Sequence, residues 1–109
     1  MAGKSSRNKG KVGERELSKK LTEVFGVACR RGQQFSGIDG CDVVGLDGIH
    51  IECKRVEKLN INNAMDQSRR DAKPEEVPVV FHRKSHKEWL ATCRLDDLLE
   101  LLNRLSAVR

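Results

Sequence analysis

Two β-prone runs, residues 41–46 and 49–56, meet at Asp47-Gly48, and no other feature restricts the fold of this chain as much. Asp-Gly between such runs signals a hairpin, because glycine adopts the left-handed backbone that tight turns require. A plain two-residue turn would pair Leu46 with Ile49, and hence Asp42 with Cys53. A three-residue loop, Leu46-Asp47-Gly48 with Gly48 left-handed, instead pairs Val43 with Ile51 and Asp42 with Glu52. Glycine at the last loop position selects this bulged form, which is the register expected. Alternation along the second strand then sends Ile51 and Cys53 to one face and Glu52 and Lys54 to the other.

That register carries chemistry. Asp42 and Glu52 are two carboxylates on neighbouring strands with an ammonium, Lys54, beside them. Like charges at that range repel unless a cation bridges them. Mg²⁺ suits such a set because it prefers oxygen ligands, and the backbone carbonyl of Cys53 adds another. Glu14 is a third candidate acid. It precedes Leu17 by three residues and Leu21 by seven, placing it at the head of an apolar helical stripe, although an acid in a first helical turn is also favoured by the helix dipole alone.

The remaining elements follow from periodicity. Leu17, Leu21, Val24 and Phe25 mark a helix over residues 10–25, closed by Gly26. Residues 27–31 form a short strand, and residues 32–40 a glycine-bearing polar loop. A second helix spans 62–73 and stops at Pro74; strands follow at 77–82 and 88–94. Asp96-Asp97 opens a last helix carrying Leu95, Leu98, Leu99, Leu102 and Leu105. The order α-β-β-β-α-β-β-α describes an α/β fold, a central mixed sheet flanked by helices. Trp89 is expected to pack in the core.

Charge is unevenly distributed. The chain carries a net +5, of which Lys4, Arg7, Lys9 and Lys11 supply +4. Residues 1–9 therefore read as a flexible basic arm and residues 10–109 as one domain. The arm suits phosphate groups, as do Arg30, Arg31, Arg55, Arg69 and Arg70, although any of these is equally a solvated surface charge. The four cysteines, Cys29, Cys41, Cys53 and Cys93, have no zinc-finger spacing and read as reduced thiols. No apolar run is long enough for a membrane span or a signal peptide, so a cytoplasmic location without membrane attachment is expected.

Asp42, Glu52-Cys53-Lys54, and the helix segment Gly13-Glu14-Arg15-Glu16-Leu17 together resemble the PD-(D/E)XK nuclease superfamily. Arg30-Arg31, Ser36 and Asp42-Val43-Val44-Gly45 are most similar to its archaeal-type Holliday junction resolvases. The resemblance covers about residues 8–82. It implies a restriction-endonuclease-like α-β-β-β-α-β core, to which the C-terminal leucine helix is an addition. It also implies Mg²⁺-dependent phosphodiester hydrolysis leaving a 5′-phosphate, with Mn²⁺ able to substitute. Asp42, Glu52 and Lys54 would be catalytic, Glu14 the helix-borne glutamate and Gln67 the site glutamine. Ser36 would contact DNA.

The expected function is cleavage of branched DNA by an intracellular homodimer, since cutting both strands of a symmetric junction requires two sites. With no helix-turn-helix, zinc finger or aromatic array, the chain is better equipped to recognise DNA shape than sequence. Three alternatives stand beside this reading. The chain could be a nuclease or nickase acting on other DNA, a non-catalytic DNA-binding module of the same fold, or a protein-interaction domain displaying the leucine helix.

Overall fold

The computed structural model describes residues 2–32 and 42–107, with side chains from residue 10 onward. In chain order the elements are α1 (Ala2–Phe25), β1 (Arg30–Arg31), β2 (Val43–Val44), β3 (Ile49–Arg55), α2 (Ile61–Asp71), β4 (Val77–Arg83), β5 (Leu90–Thr92) and α3 (Leu95–Ala107). The five strands form one mixed sheet in the order β1-β2-β3-β4-β5. Among the described residues, β3 and β4 alone run parallel, joined by the crossover through α2. The element order is the one read from the sequence.

The hairpin adopts the bulged register. Val43 pairs with Ile51, and Gly48 takes a left-handed φ of 83°. β2 and the strands at both edges are shorter than expected, and Val27 is exposed ahead of β1. The larger departure lies at the start of the chain. The helix expected over 10–25 begins at Ala2, so the segment expected as a flexible arm forms the first turns of α1. No proline stands between Ala2 and Lys11 to stop the helix from extending backward, and Gly3 and Gly10 weaken it without ending it. Gly26, with φ 69°, ends α1 and donates its N–H to Thr22 O at 2.9 Å.

α2 is capped at its start by Asn60, whose side chain accepts from Asn63 N at 3.1 Å. It presents Ala64 and Ser68 to the sheet. On the opposite face, Leu17 and Leu21 of α1 pack with Val43, Ile51 and Cys53, and Phe81 and Trp89 close over them. The alternation of β3 therefore serves two layers: Ile51 and Cys53 meet α1, whereas His50, Glu52 and Lys54 face the α2 side.

Gly13 sets how closely α1 can approach. A Cβ there would lie 2.5 Å from Arg55 Cβ, the root of a side chain fixed on β3. Gly13→Val should destabilise the protein by about 2 kcal/mol, because overpacking outweighs the gain in helix propensity. Chemical denaturation measures this directly.

α3 departs from the more usual role of a leucine-rich helix. Its first turn is fixed by Asp97, which accepts from Arg94 Nε and Nη2 at 3.0 and 3.1 Å. Five of its leucines do not cover the chain's own sheet: Leu95, Leu98, Leu99, Leu102 and Leu105 remain 41–67% exposed, and Leu101 is partly buried.

Candidate active site

The site is built where the β2–β3 ladder ends. The Asp42 N–H donates to Ile51 O at 3.1 Å, as a strand residue should. Its carboxylate Oδ2 then accepts the N–H of Cys53 at 2.8 Å. A side chain thus takes the position of a backbone partner and is pinned against β3, one residue past Glu52. This hydrogen bond explains both the shortness of β2 and the fixed position of Asp42.

Glu52 is 1% exposed, and its Oε2 has no hydrogen-bond partner. The nearest cation is Lys54, whose Nζ lies 3.6 Å from that oxygen. Lys54 Nζ also donates to Gln67 Oε1 at 3.2 Å, so α2 steers the ammonium from above. Asp42, Glu52, Lys54 and Gln67, expected together from the sequence, are therefore brought together.

Electrostatics at this point are unfavourable for the bare protein. Burial, followed by the charge of Glu52, pushes the Asp42 carboxyl up from 3.8 to about 7, against the Cys53 N–H, which pulls it down; Glu14 adds to the rise. A group whose folded pKa lies above its unfolded value contributes stability that is fully present below the unfolded pKa. That contribution is lost as pH rises through the folded value. Melting temperature without divalent ions should accordingly fall between pH 4 and 8, and Asp42→Asn should flatten the slope. The change is about 2 kcal/mol, half of a full conversion because Asp42 is only partly buried. Thermal melts across that pH range read both effects.

Glu14 reaches the margin of the site from α1. Its charge acts on Asp42, while Oε1 accepts from Arg31 Nε at 2.7 Å, so the acid and the expected DNA contact are bound to each other. The Cys53 side chain is buried on the α1 face, and burial followed by Asp42's charge pushes its thiol far above the ordinary range. Its backbone, expected as a ligand, borders the Asp42 carboxylate.

The expected phosphate contacts divide into groups. Lys11, Arg30, Arg69 and Arg70 are exposed. Arg55 is instead held within the protein, 3.5 Å from Glu16 and 3.8 Å from Glu57, and Arg83 reaches Glu16 at 3.2 Å. Ser36 and the side chains of Lys4, Arg7 and Lys9 lie outside the described residues.

His50 was not among the expected site residues. It is fully buried, with Nε2 3.4 Å from Glu52 Oε1 and Nδ1 3.9 Å from Glu76 Oε1. Burial opposes charging the ring, yet the hydrogen bond and charge of Glu52, with Glu76 and Asp71 behind them, raise its pKa above the usual histidine value. The signal was present in the sequence: the same alternation that joins Glu52 to Lys54 places His50 on that face.

No family model, curated protein or solved structure matches this chain. The geometry must therefore stand by itself. Among the described residues, no helix is long and apolar enough to cross a membrane.

Proposed function

We propose that this chain is a metal-dependent DNA endonuclease with a PD-(D/E)XK active site and a restriction-endonuclease-like core, acting on branched DNA as a homodimeric resolvase. One observation carries the reading: a buried carboxylate, Glu52, whose Oε2 has no hydrogen bond and only the Lys54 ammonium at 3.6 Å, stands beside a second carboxylate pushed up by burial and by the Glu52 charge, and that lysine is steered by glutamine. A buried carboxylate oxygen without a hydrogen bond, beside a repelling acid, is costly in a merely structural role. The donor set fits Mg²⁺, with Mn²⁺ as substitute, held by Asp42, Glu52 and the Cys53 carbonyl, with Glu14 at the margin. Bound there, the ion supplies charge neutralisation at a phosphate and a more acidic water.

The chain's own groups do the rest. Lys54, aimed by Gln67, orients the attacking water or holds charge on the phosphate oxygens. Arg30, Arg69, Arg70 and the basic first turns of α1 hold flanking phosphates, which makes binding strongly salt-dependent.

The test is cleavage of an immobile four-way junction beside its linear duplex arms, with Mg²⁺ or Mn²⁺ and an EDTA control. Paired symmetric nicks in the junction alone are expected. Equal cutting of the arms would keep the nuclease and remove junction selectivity. Tight, salt-sensitive binding without cutting would replace the enzyme with a DNA-binding module.

A further inference from the structure

A second group of ligand-type atoms shares Glu52 but not Asp42. One ligand atom from each of His50, Glu52 and Asp71 lies within 4.8 Å of the others. β3 supplies the first two and the last residue of α2 the third. His50 and Glu52 are closed off from solvent, whereas Asp71 is exposed, so the group opens outward on the α2 side.

The donor chemistry differs from that of the Asp42 pair. An imidazole nitrogen is a poor ligand for Mg²⁺, which prefers oxygen, and a good one for Zn²⁺ or Co²⁺. The His50 Nε2 to Glu52 Oε1 distance of 3.4 Å matches the edge of a tetrahedral site with bonds near 2.0–2.1 Å, about 3.4 Å. On the far side of the ring, Glu76 Oε1 lies 3.9 Å from Nδ1, where a carboxylate commonly orients a metal-bound histidine. Glu52 divides its two oxygens between the neighbours, Oε1 toward His50 and Oε2 toward Lys54.

We propose that His50, Glu52 and Asp71 form a binding site for a transition-metal dication of the Zn²⁺ or Co²⁺ type, distinct from the Asp42 pair. An ion there engages Glu52 from the His50 side and competes for it with the proposed nuclease centre. The binding claim itself stands whether or not the chain cuts DNA.

CoCl₂ titration of the full chain in excess Mg²⁺, followed by visible d–d absorption, tests the proposal. One Co²⁺ per chain is expected to resist Mg²⁺ and to be displaced by ZnCl₂. Asp71→Asn, at an exposed position, should weaken Co²⁺ binding by about tenfold or more without changing the fold, and His50→Gln should remove the imidazole signature. Asp42→Asn should leave the spectrum in place. Unchanged Co²⁺ binding in Asp71→Asn would overturn the site. So would a signal that Mg²⁺ and Asp42→Asn both abolish, since the ion would then belong to the Asp42 pair. Failure of the wild type to cleave DNA, with the Co²⁺ results as expected, would remove the nuclease reading alone.

Discussion

Glu52→Gln is expected to reduce Mg²⁺-dependent cleavage by at least about 10³-fold while raising the melting temperature of the metal-free protein. The two effects share one cause. Glu52 is 1% exposed, has an oxygen without a hydrogen bond, and its charge adds to the burial that pushes the Asp42 carboxyl up to about 7. Replacing its charge with an amide removes the repulsion, and the amide oxygen can still accept from His50. The same change removes the negative charge that a dication needs. A residue that served only to pack β3 would behave the other way, losing stability and leaving chemistry intact. Lys54→Met should keep metal binding yet lose about 10²-fold in rate, and Gln67→Ala should lose less, because it acts only by aiming the ammonium. Single-turnover cleavage alongside thermal melts separates these outcomes. Equal loss of stability and rate in Glu52→Gln would remove the catalytic interpretation.

How much of this was legible beforehand depended on whether a local rule was decisive. Gly48 is left-handed in either loop, but a two-residue turn would need Asp47 left-handed as well, and the three-residue loop needs only the glycine; the register then placed Asp42 beside Glu52. Period-two alternation put Glu52 and Lys54 on one face, and applied one step further it would have placed His50 there as well. Other features had no local signature. The carboxylate of Asp42 taking the Cys53 N–H is a side-chain choice within the hairpin, and the ion pairs that hold Arg31 and Arg55 depend on where α1 lies across β3. That placement is set by Gly13, a residue whose missing side chain matters only once the helix and strand are in contact. The start of α1 lies ahead of the apolar stripe: charge argues for an arm, Gly3 and Gly10 weaken a helix there, and only the lack of a proline before Val12 permits it.

Leu99→Asp with Leu102→Asp is expected to turn the proposed dimer into a monomer without lowering the stability of the folded chain. Both leucines sit on α3, 52% and 49% exposed, and Leu95, Leu98 and Leu105 continue the same stripe over a 13-residue helix. A leucine that covers its own core would be closed from solvent, and these are not. A stripe of this length calls for a partner, and the proposed reaction supplies one, since cuts placed symmetrically in a junction require a second copy related by a twofold axis. Each half-exposed leucine contributes about 1 kcal/mol on burial, so removing two per copy subtracts about 4 kcal/mol from association. That weakens the dimer about 10³-fold. Sedimentation should show the loss of mass, and junction cleavage should lose its paired nicks and retain slow single ones. The melting temperature extrapolated to low protein concentration should match that of the wild type. A variant that remains dimeric would place the interface elsewhere and leave the leucine stripe of α3 to another protein.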